Sequence, residues 1–216
     1  MGRTLPRTTT IYQLKVTLKE TKPPIWRRVL VPADVTMRRL HDILQVVMGW
    51  SDTHLYMFEV GRTYIGEPDP EEDLREVRSA KTTKLNQVAP SAGAKLVYEY
   101  DFGDSWRHGI LVEKVLPAQP AARYPVCVAG RRACPPEDCG GAWGYAELLE
   151  VIADPEHDEY GSTMAWLGVG FHPDDFDVAE TNAVLGLSGV VRTVAESAPK
   201  QPRSPSAQPR RHLRLL

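Results

Sequence analysis

Acidic, imidazole and thiol side chains are concentrated in one stretch of the chain, between residues 95 and 144. Carboxylates beside an imidazole can bind a divalent cation or transfer a proton as general acid or base. Such a set suits a metal-dependent hydrolase, although no Ser-His-Asp order, phosphate-binding loop or paired Cys-x-x-Cys motif accompanies it. The candidate catalytic residues are Asp101, Asp104, His108, Glu137 and Asp138, with His54 as a further candidate from earlier in the chain.

A β-hairpin is predicted for the first half of this stretch, residues 96–116. Its strands are rich in β-branched and aromatic side chains, and Gly103-Asp104 suits a two-residue turn. With this turn, Glu99 pairs with His108, and Asp101 lies on the same face of the hairpin. One carboxylate can then orient or charge the imidazole. The alternative is a hairpin with a solvated polar end, and a one-residue change of register would separate these side chains.

Three cysteines lie in the second half of the stretch. Four residues separate Cys134 from Cys139, which is a common zinc-ligand spacing, whereas six residues separate Cys127 from Cys134. A tetrahedral zinc site at these thiolates needs a fourth ligand; the alternative is that the cysteines are small buried packing residues. The candidates for the fourth ligand are His108, Asp138, His157 and His172.

A rigid Pro135-Pro136 pair follows Cys134 and presents Glu137 and Asp138 outward. These two acids can coordinate zinc or another divalent cation, or one of them can act as a general base. They can equally cap the turn that follows. The residue types alone leave these alternatives open.

Composition limits the class of protein. The 216-residue chain has a net charge of −2, which implies no general affinity for nucleic acid or for an acidic membrane. No run of 18 apolar residues is present, so no transmembrane helix is predicted. Three cysteines suit reduced thiols in a cytoplasmic protein better than a disulfide scaffold, and residues 1–10 lack the apolar segment of a secretory signal.

The elements that would position the site alternate between strand and helix patterns. Near-alternating apolar residues predict strands at Ile11–Glu20 and Ile25–Val31. A helix is predicted around Leu40–Val47, capped by Asp34 or Thr36 and ended by Gly49. Further predicted strands lie at residues 53–60, 62–65 and 82–88.

Helices are predicted for the last third of the ordered chain. The cysteine segment has little regular structure of its own, and Gly140-Gly141 leads into a helix that ends before Asp154-Pro155. Residues 157–167 are weakly helical, and Pro173 suits the first turn of a last helix. Strands followed by helices predict a single α+β domain with a mixed or mainly antiparallel sheet and helices packed on it.

The C-terminal segment differs in composition from the rest. From residue 188 onward, six basic residues stand against one acidic residue, about +5, which leaves about −7 for the remainder. We therefore predict a flexible N-terminus at 1–10, one domain at 11–187, and a disordered basic tail at 188–216. The tail can remain solvated, or it can contact nucleic acid or an acidic protein through its arginines, Arg203, Arg210, Arg211 and Arg214.

Several motifs resemble the plasmid pRiA4b ORF-3-like family, whose members are also described as insertion-sequence passengers or loosely as resolvases. The resemblance implies an α+β domain of bacteria and archaea that is often carried on mobile elements, and it implies no established activity. His172 departs from it, since relatives carry an acid before this proline, and the basic tail lies outside it. No recombinase serine motif or helix-turn-helix supports the resolvase label. The matching motifs are Ile25-Trp26-Arg27-Arg28, Met48-Gly49-Trp50, His54-Leu55, Phe58, residues 98–106, His108, residues 135–141, Gly144-Tyr145 and Phe176-Asp177.

Two hypotheses of different classes follow. The first, which the lack of a recognised catalytic order favours, is a non-enzymatic binding or accessory module of a mobile element or its host, which can contact nucleic acid through the tail and through arginines at positions 27, 28, 38 and 39. The second is a metal-dependent hydrolase, which requires the acidic and histidine candidates to converge in one place.

Overall fold

An eight-stranded sheet organises the chain, and helices pack against it. The computed structural model describes residues 9–68, 76–168 and 170–193. The helices are α1 (Met37–Met48), α2 (Leu85–Val88), α3 (Gly141–Ala153), α4 (Tyr160–Leu167) and α5 (Val178–Leu187). The strands are β1 (Thr10–Leu18), β2 (Trp26–Pro32), β3 (Tyr56–Val60), β4 (Thr63–Gly66), β5 (Val77–Ser79), β6 (Lys95–Tyr100), β7 (Trp106–Pro117), β8 (Arg123–Tyr124), β9 (Val126–Arg131) and β10 (Arg192–Thr193).

The sheet is mainly antiparallel. Its strand order is β5-β4-β3-β6-β7-β1-β2-β9, and only the β4–β5 pair among these is parallel. A separate two-stranded sheet joins β8 to β10. This arrangement confirms the predicted α+β class. Among the helices within the described residues, none combines the length and apolar character that crossing a bilayer requires.

The first two strands form because their apolar residues alternate. In β1, Leu14, Val16 and Leu18 are buried, and the residues between them are partly exposed. In β2, Val29 and Val31 continue the same core. The predicted strands in these two regions are therefore confirmed, and β1 lies between β2 and β7 near the middle of the sheet.

Helix α1 has the predicted face and ends. Leu40, Ile43 and Leu44 are buried against the sheet core. Thr36, rather than Asp34, is the N-cap, because its hydroxyl accepts a hydrogen bond from the Arg39 N–H at 3.2 Å. Gly49 ends the helix with φ of 92°, a conformation that glycine adopts without strain.

Two predicted elements are wrong, and one strand was not predicted. The strand predicted at 82–88 is the short helix α2, where the Gln87 side chain accepts a hydrogen bond from the Lys84 N–H at 2.9 Å. The last helix begins at Val178 rather than Pro173, because the Asp177 carboxylate caps it at the Glu180 N–H. The cysteine segment is more regular than predicted, since β9 pairs with β2 at one end of the sheet.

The hairpin of β6 and β7 forms, but its predicted register is wrong by one residue. Tyr98 pairs with His108, and Glu99 pairs with Arg107 on the opposite face. The loop has five residues, 101–105, instead of two, because Asp101 adopts φ of 57° and its backbone carbonyl accepts the Ser105 N–H. The aromatic face of the hairpin is therefore buried, and Glu99 lies away from His108.

The structure is described as far as Thr193, three residues past the buried Val190 and two past the partly buried Val191. Strand β10 then pairs with β8, six residues beyond the domain boundary predicted at 187. The rest of the predicted tail, with its four candidate arginines, lies outside the described residues, as do residues 1–8 of the predicted N-terminal segment. Both predictions therefore remain predictions.

Candidate functional site

His54, Asp101 and Asp138 converge at one edge of the structure. The His54 Nε2 atom lies 3.6 Å from Asp101 Oδ2 and 3.2 Å from Asp138 Oδ1. One donor atom from each of the three residues lies within 4.8 Å of the other two. Two ligands of a tetrahedral cation with bonds of about 2.1 Å lie about 3.4 Å apart, so the observed separations match a shared cation.

The hairpin loop holds Asp101 in a fixed orientation. Its Oδ1 atom accepts hydrogen bonds from the backbone N–H groups of Gly103, at 2.9 Å, and Asp104, at 3.3 Å. These bonds direct the other oxygen, Oδ2, towards His54. The side chain of Asp101 is 11% exposed, so one carboxylate oxygen supports the loop while the other faces the cluster.

The loop that carries Asp138 is tied to the hairpin and to α1. The Trp50 indole donates a hydrogen bond to the Pro135 carbonyl at 3.1 Å, and the Gly140 N–H donates to Asp104 Oδ2 at 3.2 Å. Gly141 has φ of 67°, and a Cβ there would lie 2.5 Å from the Asp104 carbonyl oxygen. Asp138 itself adopts φ of 58°, a conformation in which Asp and Asn are enriched.

His54 completes the cluster from the segment before β3. The Asp101 N–H donates to the Leu55 carbonyl at 2.9 Å, which places His54 beside the hairpin loop. The His54 Nε2 atom is buried and makes no hydrogen bond, although two carboxylate oxygens lie near it. The 3.6 Å distance to Asp101 is too long for a hydrogen bond, and the 3.2 Å contact with Asp138 does not have the geometry of one. A ring nitrogen of this kind suits a metal ligand.

Glu137 lies beside the cluster and is held by two donors. Its Oε1 atom accepts the Tyr100 hydroxyl at 2.6 Å and the Ser51 N–H at 3.2 Å. The Tyr100 ring meets the His54 ring edge-on, with centroids 5.8 Å apart. Tyr100 therefore links Glu137 to the cluster, through its hydroxyl on one side and its ring on the other. Asp104 has a different role: its carboxylate accepts the Gly140 N–H and so positions the loop that carries Asp138.

His108 does not belong to this cluster. It is fully buried, its ring meets the Trp50 ring edge-on at 5.1 Å, and its Nδ1 lies 3.3 Å from the Tyr98 carbonyl oxygen. Burial lowers the pKa of the imidazole to about 4. The predicted role of His108 as a catalytic or metal-binding residue is not supported, because its side chain is buried in the core and Tyr98, rather than Glu99, lies opposite it.

This buried imidazole makes stability depend on pH. Because the folded pKa is about 4 and the unfolded value is about 6.5, only the unfolded state takes up this proton between those values. The unfolding free energy should therefore fall by on the order of 1 kcal/mol per pH unit as pH decreases through that window. His108→Leu should remove this part of the slope in urea unfolding between pH 6.5 and 4.5. Equal slopes for the two proteins would contradict a neutral buried His108.

The three cysteines do not form a close group of potential metal ligands. All are free thiols, and burial raises the pKa of each, to about 12 for Cys139. Cys127 lies in β9, with its backbone N–H donating to Asn182 at 2.8 Å. Within residues 9–68, 76–168 and 170–193, no close group of three potential metal ligands includes a cysteine. The geometry therefore favours the alternative, that Cys127, Cys134 and Cys139 are packing residues.

A second group of potential metal ligands, His41, Asp42 and Asp52, lies beside a positively charged side chain of the protein, Arg38. His41 is buried between two partners, with Nε2 2.6 Å from Asp52 and Nδ1 2.8 Å from the Tyr98 hydroxyl. Arg38 forms ion pairs with Asp52 at 2.9 Å and with Asp42 at 3.0 Å. The guanidinium supplies the positive charge that the carboxylates need, so this group is structural.

The arginines proposed for nucleic-acid contact in the folded part are engaged within the protein. Arg27 is buried, Arg28 forms a two-point ion pair with Glu113, and Arg39 donates to the Gly189 carbonyl. Together with Arg38, they do not form a free basic surface.

Sequence reasoning named Asp101 and Asp138 as candidates but gave His54 a secondary place. Forty-six residues separate His54 from Asp101, and no local spacing motif links them. The only signal was the presence of His54 among the family-like motifs.

Comparisons with known proteins identify relatives across most of the chain. The family model described as plasmid pRiA4b ORF-3-like protein matches residues 10–180. The uncharacterized protein y4hQ of Sinorhizobium fredii is 38% identical over 172 residues, which cover 80% of this chain and 86% of that protein. A protein of unknown function from Methanosarcina mazei Go1 has a crystal structure that matches with a TM-score of 0.73 and 40% identity, covering 81% of this chain and 98% of that one.

Proposed function

This chain belongs to the plasmid pRiA4b ORF-3-like family, and we propose that it is a metal-dependent hydrolase with a cation bound by His54, Asp101 and Asp138. The observation that carries the proposal is the buried His54 Nε2 atom, which makes no hydrogen bond and faces two carboxylate oxygens at 3.2 and 3.6 Å. Two of the three ligands were named from the sequence as members of a hydrolase site, and they come from loops that the fold brings together.

The donor set favours zinc or a similar first-row divalent cation. Imidazole nitrogen suits zinc, copper, iron and nickel, whereas magnesium and calcium prefer oxygen alone. The Asp138 side chain is 72% exposed, so solvent reaches the cluster from that side. Three protein ligands with an open position are the usual composition of a catalytic zinc site.

The chemistry then follows from the residues around the cation. A zinc ion held by His54, Asp101 and Asp138 would lower the pKa of coordinated water towards about 7. Glu137 is the candidate general base, because the Tyr100 hydroxyl and the Ser51 N–H hold its carboxylate beside Asp138. Asp104 keeps the Asp138 loop against the hairpin through Gly140.

The competing hypothesis of a nucleic-acid accessory module has less support in the folded part. Its four tail arginines lie outside the described residues, and its other arginines form internal contacts. Binding of nucleic acid by the tail remains a prediction. A salt-sensitive affinity that falls after charge reversal in the tail would support it.

The hydrolase proposal predicts activity that depends on both the cation and Glu137. With zinc or manganese, the full chain should hydrolyse at least one of three generic nitrophenyl substrates, namely a carboxyl ester, a phosphomonoester or a phosphodiester. Glu137→Gln should reduce kcat by about 10²-fold or more while the cation stays bound, because the amide keeps the contacts but cannot accept a proton. Glu147→Gln, an exposed change on α3, is the matched control. Cation binding without hydrolysis of any substrate, or full activity in Glu137→Gln, would overturn the hydrolase assignment.

A further inference from the structure

A cleft of about 880 Å³ lies between the C-terminal end of α1, the segment 133–137, and helices α4 and α5. Its walls carry large apolar side chains that remain exposed, including Trp166, 53% exposed, and Val184, 47% exposed. Phe171 and Phe176 add aromatic surface. Exposed apolar side chains grouped in a concave surface indicate a binding surface for a partly apolar ligand.

The same cleft carries negative charge. Four acids line it: Glu137, Asp175, Asp177 and Glu180. The one basic side chain among its described lining residues is Arg27, which is 2% exposed and donates to the carbonyls of Val47, Trp26 and Arg131. The Arg27 guanidinium also lies 3.9 Å from the centre of the Phe176 ring. Arg27 therefore lies at the floor of the cleft. Because its guanidinium is engaged by these contacts, it does not neutralise the negative charge of the four acids.

We propose that the C-terminal segment of this same chain, Arg210–Leu216, binds in this cleft. The segment reads Arg-Arg-His-Leu-Arg-Leu-Leu, so it combines three guanidinium groups with three leucines. The arginines are complementary to the four acids of the cleft, and the leucines to Trp166 and Val184. In this proposal the protein's own cleft is the acidic partner, which is one of the alternatives that the sequence leaves open for the basic tail.

The chain length permits this contact. The described structure ends at Thr193 in β10, six residues after α5, and α5 forms one wall of the cleft. Residues 194–209 can span roughly 50 Å when extended, at about 3.3 Å per residue. Helix α5, with 10 residues, is about 15 Å long. The reach of residues 194–209 is therefore several times the length of α5, and the C-terminal segment can reach the cleft.

Tethering makes modest affinity sufficient. A segment joined to its binding site by a short linker is present at an effective concentration in the millimolar range, so contacts that would be weak between separate molecules can be populated within one chain. Because the contact pairs exposed charges, salt should weaken it.

The indole signal of Trp166 in the full chain provides the test. In ¹H–¹⁵N spectra, with the signal assigned by its loss in Trp166→Phe, the double change Arg211→Glu with Arg214→Glu should shift it. High salt, or Asp175→Asn with Glu180→Gln, should shift it in the same direction. The matched control is Arg62→Glu with Arg78→Glu, which changes the charge equally at exposed positions outside the cleft and should leave the signal unchanged.

A peptide of residues 206–216 distinguishes direct docking from a remote effect. Added to the Arg211→Glu, Arg214→Glu protein, it should restore the wild-type Trp166 signal, and it should not do so when Asp175 and Glu180 are also neutralised. An unchanged Trp166 signal in the tail variant would overturn the proposal. A shift that depends on protein concentration would overturn it in favour of docking between copies, and a response seen only with an added oligonucleotide would overturn it in favour of nucleic-acid binding.

Discussion

Asp101→Asn should lower the affinity of the protein for zinc by at least about 100-fold. Loss of an outer partner of a metal ligand already costs 10- to 100-fold in affinity, and here a direct ligand loses its charge. The asparagine keeps an oxygen that can accept from Gly103 and Asp104, and it tolerates the left-handed backbone at this position. The change therefore removes the cation ligand while preserving the loop.

Asp104→Asn is the matched control for this prediction. Asp104 lies in the same loop, and its contact with the Gly140 N–H survives in an amide. Zinc titration of the two variants by calorimetry should give near wild-type affinity for Asp104→Asn and severe loss for Asp101→Asn. Equal affinities in the two variants would show that Asp101 is not a ligand.

Arg27→Ala should destabilise the fold by about 3–5 kcal/mol. The Arg27 side chain is buried and donates to three backbone carbonyls, with the shortest bond 2.7 Å to Val47. Its loss removes the side-chain donor from all three carbonyls, of which the Val47 contact is fully buried, and opens a cavity beside Phe176. Because the three carbonyls belong to α1, β2 and β9, one guanidinium joins three separate elements of the fold.

The adjacent residue provides the comparison for Arg27. Arg28→Ala removes a two-point ion pair with Glu113, but the Arg28 side chain is 30% exposed, so the expected cost is at most about 1 kcal/mol. Urea unfolding of both variants at neutral pH measures the difference. A cost for Arg27→Ala as small as that for Arg28→Ala would contradict its role as an internal connector.

Much of the fold was predictable because local patterns agree with tertiary burial. The β1, β2 and α1 predictions succeeded where apolar periodicity and caps coincide, as at Thr36 and Gly49. The family resemblance inferred from the motifs is confirmed by the match over residues 10–180. The prediction failed for short elements such as α2. There a single contact, the hydrogen bond from the Lys84 N–H to the Gln87 side chain, decides between helix and strand.

The hairpin register failed for a specific physical reason. A glycine followed by an aspartate suggests a two-residue turn, but the preceding Asp101 adopts a left-handed conformation and caps the loop with its own side chain. This conformation of Asp101 also determines the arrangement of the candidate cation site. It places Tyr98, rather than Glu99, opposite the buried His108 and directs Asp101 Oδ2 towards His54, a contact between distant segments that no local spacing encodes.

The metal content of the full chain, purified without added metal and without a histidine tag, tests the central claim most directly. Three proteins should be compared: the wild type, Asp101→Asn with Asp138→Asn, and Cys134→Ser with Cys139→Ser. We expect about one zinc or similar cation per chain in the wild type and in the cysteine variant, and its loss in the aspartate variant. A cation retained by the aspartate variant and lost by the cysteine variant, or no cation in any of the three, would contradict a site at His54, Asp101 and Asp138.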